Sequence, residues 1–339
     1  MSESKVYTMI YVNIPEENVR RLPFYLAAEE FLARRIRPSD EDLFFMWQVN
    51  PTVIFGRNQV VEQEINLDYC RANGIEFYRR KSGGGCVFAN LDNVMFSYIT
   101  ADASGVAATF SLYTSMVAGM LRDLGLNATA TDRNDVLIDG LKVSGNAFYH
   151  LPTASIAHGT MLYRTDLEAM SRALTPSRQK LSAKGVSSVR SRVTSLSEHI
   201  DLDLDQFKQF ARRHLTDKEL TLSPTDIAEI LEIEKEYYNP KWIYRHSNPL
   251  PHRQPRRIEG VGEFSVTVRQ DSLGCISDLQ LAGDFFELND VDKEICAPLK
   301  GVRLNRDSLA RALAAIPVKR IISGLDRRQL IDLIIENPN

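Results

Sequence analysis

Apolar and polar positions change period several times along the chain, and each change marks an expected element. Val6 to Asn13 reads as a strand. Pro23 then opens an amphipathic helix to Ile36, with Phe24, Ala27, Ala28, Phe31 and Leu32 on one face; a proline is tolerated in the first turn because its missing N–H has no helical partner there. Leu43 to Asn50 and Thr52 to Phe55 read as strands parted by Pro51, and a short helix through Asp68 to Ala72 is predicted to stop at Gly74, a residue suited to a left-handed cap. Strands are expected at Ile75 to Arg80 and Val94 to Thr100, and a long helix over Val106 to Leu124, ending at Gly125. Asp135 to Phe148 carries a hairpin signal at Asp139-Gly140. Between Asn239 and Arg257, Pro240, Pro249, Pro251 and Pro255 crowd together with Arg253, Arg256 and Arg257, which predicts a boundary between a domain of residues 1–245 and one of 246–339. Beyond it, Gly262 to Val268 and Cys275 to Leu281 read as paired strands, followed by helices at about Arg306 to Ala315 and Asp326 to Ile335, a small α+β domain.

Composition narrows the class. The chain has 339 residues, enough for about two domains of roughly 100 to 200 residues each. Its 41 Lys plus Arg against 44 Asp plus Glu leave a net charge of −3, so no overall basic field exists to grip nucleic acid. No run approaches the ~18 apolar residues of a membrane span, and the N-terminus lacks the apolar centre of a secretory signal. A cytoplasmic protein, with neither nucleic acid nor membrane as partner, is expected. Cys70, Cys86, Cys275 and Cys296 are scattered and form no CxxC pair, which argues against a disulfide framework or a structural zinc site.

Four segments carry candidate chemistry. In Arg79-Arg80-Lys81-Ser82-Gly83-Gly84-Gly85-Cys86-Val87-Phe88, three glycines stand between two strand-like runs, so a ligand can lie directly on the backbone N–H groups, with Arg80 and Lys81 supplying positive charge. The same run also reads as a glycine turn with solvated arginines. In Asp132 to Asn146, a two-residue turn at Asp139-Gly140 makes Ile138 face Leu141, Leu137 face Lys142, Val136 face Val143 and Asp135 face Ser144. Val136, Ile138, Leu141 and Val143 then form an apolar face. Lys142 and Asp135 share the other at the diagonal spacing of roughly 7 to 8 Å, wide enough for a ligand or metal between their tips. An exposed hairpin with surface charges fits the pattern as well. His158 lies in a strand-like run, His158 to Tyr163, and a lone imidazole there is more often structural than catalytic. Lys180 to Val193 is small, polar and basic, either a strip that closes over an anion or a solvated connection. Neither GxxxxGK[ST] nor GxGxxG between strand and helix is present, so any use of ATP needs another architecture.

Taken together and in order, RRKSGGGCVF, DRNDVLIDGLKVSGNAF, HGTMLY and KGVSSVRSRVTSL, with PFYLAAEEF and NPTVIFGRNQ before them, resemble the lipoate-protein ligase A family. The resemblance covers most of residues 5 to 200; toward the C-terminus it rests on the strand pair and Gly283-Asp284-Phe285-Phe286. It implies an α+β fold, a mixed β-sheet flanked by helices shared with biotin-protein ligases, with a small C-terminal accessory domain. It implies ATP-dependent activation of lipoate to lipoyl-AMP with Mg²⁺, then transfer to a lysine of a carrier lipoyl domain, an E2 subunit of a 2-oxoacid dehydrogenase or the glycine-cleavage H protein. By the same resemblance Lys142 is the catalytic lysine. Arg79, Arg80, Ser82, Gly83, Gly84, Gly85, Cys86, Val87, Phe88, Asn134, Lys184 and Gly185 are nucleotide or lipoyl-adenylate contacts, and Asp135 is a Mg²⁺ contact. The segment departs from the family where Ala89-Asn90 replaces a common His-Asp and Asp92-Asn93 a Gly-Asn. Two other activities fit the same segments: an acyltransferase that needs no ATP, and a non-catalytic binder of lipoyl-adenylate. Cys86 resembles the acyl-carrying thiol of related transferases, but it lies in the ligand loop, and Val143 to Leu151 contains no cysteine.

Overall fold

The computed structural model describes residues 9–15, 18–101, 106–131, 134–174, 192–247 and 255–336. Strands β1 (Ile10–Asn13), β2 (Leu43–Trp47), β3 (Thr52–Phe55), β4 (Glu76–Arg79), β5 (Val87–Ala89) and β6 (Val94–Thr100) come from the first hundred residues. They are followed by β7 (Ala128–Ala130), β8 (Asp135–Ile138), β9 (Leu141–Leu151), β10 (Ala154–Met161) and β11 (Lys218–Thr221). Eight of them form one sheet in the order β11-β1-β2-β6-β10-β9-β8-β7, and β4-β3-β5 form a small second sheet. The large sheet is mixed, because β1 lies parallel to both β2 and β11 while the remaining pairs are antiparallel. Helices flank it, as the expected fold class requires.

Side chains alternate across a strand, and β6 shows which helix takes which face. Met95 and Ile99 join Phe45 and Trp47 in the core beneath the helix Leu22–Arg35, whose residues from Leu22 to Ala33 are all buried. Tyr98 stacks on Tyr113 of the helix Val106–Asp123, on the opposite face, and Phe96 packs beside Phe44 and Phe207. The expected helices of this unit are thus present with ends within about two residues of those read from pattern, the usual uncertainty of a helix terminus. Two helices outside that reading, Leu204–Leu215 and Pro224–Tyr237, are each opened by a capping box, Asp203 with Gln206 and Ser223 with Asp226.

His158 belongs to this core. It stands directly opposite Ser97 in the β10–β6 ladder, on the face covered by Leu22–Arg35. Glu29 of that helix is fully buried and lies 2.9 Å from His158 Nδ1, and it accepts a 2.5 Å hydrogen bond from Ser97 Oγ, which itself accepts from Trp47 Nε1. A buried carboxylate is tolerated only with such partners, and removing one member leaves the others desolvated and unpaired. Glu29→Ala should therefore destabilise the protein by about 3 to 5 kcal/mol. Urea unfolding measures this, and a loss under 1 kcal/mol would show the network to be dispensable.

The chain divides into two compact units, one of Met1–Ile54, Ile65–Tyr78 and Val87–Ile243, the other of Phe55–Glu64, Arg79–Cys86 and Tyr244–Asn339. The second contains the antiparallel sheet β12 (Arg256–Ile258), β13 (Gly262–Gln270) and β14 (Ile276–Phe285), with helices Arg306–Ala312 and Arg327–Ile335 over an apolar core of Phe264, Val266, Leu281, Leu309, Leu330 and Ile334. It also takes in most of the glycine-rich run. Among the described residues no helix is long and apolar enough to cross a membrane.

Candidate active site

The β8–β9 hairpin turns at Asp139-Gly140, both with positive φ (49° and 82°), the backbone of a type I′ turn. Ile138 pairs with Leu141 and Leu137 with Lys142, as expected. Beyond that the register shifts: Val136 pairs with Ser144 and Asp135 with Gly145, leaving Val143 as the extra residue of a β-bulge. The bulge corrects the expected pairing and explains why Ser144 is buried. It also corrects the expected gap between Lys142 and Asp135. In a regular strand, residues three apart point to opposite faces; the extra residue brings Lys142 and Gly145 onto one face. Gly145 has no side chain, so the lysine stem folds across it, and Lys142 Nζ reaches Asp135 Oδ1 at 2.7 Å.

The surroundings fix both partners. At Lys142 the main chain is held by the segment returning at Arg192: its N–H donates to the Arg192 carbonyl at 2.7 Å, and its carbonyl accepts from Thr194 N–H at 2.9 Å. The Asp135 N–H donates to Thr131 Oγ1 at 3.0 Å. Asn134 and Asn146 exchange bonds, each side-chain amide donating to the other's carbonyl at 3.1 and 3.0 Å. Thr131, Gly145, Asn146 and Thr194 therefore shape this part of the site although the sequence reading does not single them out; Gly145 and Asn146 lie inside the KVSGNA run, and only the bulge reveals their part.

In the second unit, Arg79 and Arg80 are 0% and 4% exposed. Arg79 donates to the carbonyls of Gly56, Arg57 and Gln59, its guanidinium 4.7 Å from the Phe55 ring centre. Arg80 donates to Ser82 Oγ and to the carbonyls of Gly83 and Gly85. Arg80 thus braces the glycine loop from within, while Arg79 braces the neighbouring 56–59 segment. Burial lowers their pKa values to about 9 and about 10, so both stay cationic at neutral pH. Gly84, with φ +86°, donates its N–H to the Phe285 carbonyl at 3.0 Å, and Gly283 N–H donates to the Asn58 carbonyl at 2.6 Å. The Gly283-Asp284-Phe285-Phe286 run therefore holds the glycine loop in place. Cys86 Sγ donates to Gln59 Oε1 at 3.4 Å. Val87 and Phe88 begin β5 and pair with Ile54 and Val53 in the first unit. Lys184 and Gly185, with the rest of the basic strip from Leu181 to Ser191, lie outside the described residues.

His246 is buried near Arg245, Arg79 and Arg57, accepting at Nδ1 from the Gln280 amide. Burial first, then the Arg245, Arg79 and Arg57 charges, hold its pKa well below the ordinary value of 6.5. The unfolded chain therefore takes up this proton first, and the imidazole's contribution to stability, complete above pH 6.5, is lost as pH falls below it. Thermal unfolding from pH 7.5 to pH 5 should show wild type losing more stability than His246→Gln; parallel curves would contradict the assignment.

Among the described residues no group of three or more His, Cys, Asp or Glu side chains is placed to hold a metal ion. Asp135 offers a single carboxylate, with one oxygen engaged by Lys142. That donor set suits a Mg²⁺ delivered on nucleotide phosphates, which commonly needs only one or two protein carboxylates.

A family model for the Lipoyl protein ligase A/B catalytic domain matches residues 22–216, and one for the Bacterial lipoate protein ligase C-terminus matches 251–334. The chain belongs to the lipoyl protein ligase A/B family. It is 32% identical to lipoate-protein ligase LplJ of Bacillus subtilis over 331 residues, 95% of this chain and 99% of that protein. It is 29% identical to lipoate–protein ligase 1 of Staphylococcus aureus over 330 residues, again 95% and 99%. Among solved structures, the bi-partite lipoate protein ligase of Thermoplasma acidophilum, solved in a study of an archaeal lipoylation system with its E2 lipoyl domain, aligns with TM-score 0.61 at 27% identity, over 70% of this chain and 96% of that one.

Proposed function

We propose that the chain is an ATP-dependent lipoate–protein ligase, with residues 1–245 as catalytic and 246–339 as accessory domain. Family membership over both segments supports the activity, and the observation that carries the mechanism is the Lys142 ammonium, anchored through a clamped backbone and paired with Asp135. In the first step a lipoate carboxylate oxygen bonds to the α-phosphorus of ATP and pyrophosphate leaves. Two anions must approach while charge gathers on the phosphate oxygens, and the Lys142 cation offsets that repulsion. Asn134 and the glycine loop, braced by Arg80, serve the same adenylate, with Arg79, Lys184 and Gly185 as further contacts. Asp135 contributes one carboxylate toward a nucleotide-borne Mg²⁺, which when bound screens the phosphate charge. In the second step a carrier-lysine amine attacks the acyl carbonyl and AMP departs. That amine has a solution pKa of about 10.4 and reacts only after losing its proton. The carriers are lipoyl domains of E2 type, as in the system that includes the Thermoplasma ligase, and of H-protein type.

The test incubates the protein with labelled ATP, lipoate and Mg²⁺, with and without an apo lipoyl domain. Pyrophosphate release together with carrier modification is expected. Modification only from an acyl donor without ATP would assign a transferase, and tight binding of lipoyl-AMP without turnover would assign a binder.

A further inference from the structure

We infer that Gly145 is a positioning residue that acts through Lys142: the space its missing side chain leaves is the seat in which the lysine ammonium is held for adenylate formation. The inference rests on the role given above to Lys142. A Cβ built on Gly145 would lie 2.7 Å from both Cε and Nζ of Lys142, closer than side-chain carbons approach other atoms, and 3.8 Å from Asp135 Oδ1. Among the described residues, no backbone atom of a neighbouring strand stands as near. The φ of Gly145 is not positive, so alanine adopts this backbone without strain. What must yield is therefore the far end of one flexible side chain. The Val143 bulge makes the seat possible by turning positions 142 and 145 to the same face, and the Asp135–Gly145 pairing puts the carboxylate at its far wall. The lysine main chain is clamped to Arg192 and Thr194, so the stem cannot retreat as a whole. A methyl group at 145 thus evicts the ammonium while leaving the hairpin intact.

A merely structural glycine and a positioning glycine give different results in a double-mutant cycle. Adenylate formation, read as pyrophosphate release with saturating ATP and lipoate, is measured for wild type, Gly145→Ala, Lys142→Ala and the double variant, together with the thermal unfolding midpoint of each. Gly145→Ala is expected to lower kcat by about tenfold to 100-fold, the cost of displacing a catalytic group by about an ångström, with an unfolding midpoint close to wild type. In the Lys142→Ala background the same substitution is expected to change the rate less than twofold, because the group it displaces is gone. Losses that multiply in the double variant, or a Gly145→Ala enzyme at the wild-type rate, would overturn the inference while leaving Lys142 in its role. A Lys142→Ala enzyme at the wild-type rate would instead remove the mechanistic reading itself, and the seat with it. Were Gly145→Ala to lose stability, the double variant, whose methyl group has room, separates crowding by the lysine from damage to the strand: recovery of the midpoint supports the seat and persistence of the loss refutes it.

Discussion

Lys142→Ala should lower lipoyl-adenylate formation by about 100-fold to 1,000-fold, the effect of removing one well-placed donor to charge that develops in a transition state. The fold should survive the change. Lys142 and Asp135 side chains are 36% and 30% exposed, and an ion pair so accessible contributes only about 1 kcal/mol or less. The lysine main chain, which clamps Arg192 and Thr194, remains in the variant. The loss should therefore appear in the rate of pyrophosphate release, with lipoate affinity changed much less, since the cation is most needed when the carboxylate meets the phosphate. Rapid-quench measurement of the first turnover isolates this step from transfer to the carrier. A variant that forms the adenylate at the wild-type rate would take Lys142 out of the chemistry.

The second large effect is expected at Gly56, in the NPTVIFGRNQ run. A Cβ there would lie 2.0 Å from the carbonyl oxygen of Gly84 and 3.1 Å from its carbon. Unlike the lysine tip near Gly145, these are backbone atoms, fixed by the Gly84 N–H bond to Phe285 and by the Arg80 fork on Gly83 and Gly85. Gly56→Ala must push the centre of the glycine loop away by more than an ångström. With that loop serving the adenylate, a displacement of this size should cost about 100-fold in kcat/KM for ATP and lipoate. The variant should still pass a lipoyl group from chemically made lipoyl-AMP to the carrier better than it forms the adenylate itself. Equal, wild-type rates in both steps would show that loop shape does not matter.

The site was legible in unequal parts, and the inequality follows distance along the chain. Gly56 carries no local mark because its partner, Gly84, lies 28 positions later, in a loop folded against it. The run around Lys142 names the ammonium and the carboxylate but places them too far apart. One inserted residue changes which side chains share a face, and no period-two pattern announces such an insertion. His158 reads as a lone imidazole in its own run because Glu29, its partner, sits 129 residues earlier.

What the amino-acid order determined unaided is whatever neighbours within a few residues decide: the Pro23 helix start, the left-handed exits at Gly74 and Gly125, and the Asp139-Gly140 turn, each dictated by local backbone sterics. Tertiary structure alone decided the parallel seating of β1 beside β11, the burial of Glu29 against His158, and the holding of Gly84 by Phe285 and of Gly283 by Asn58. These contacts join segments remote in the chain. They are selected by the burial of apolar surface and the need to satisfy buried polar groups across the whole fold, and neither requirement leaves a mark within a single stretch of residues.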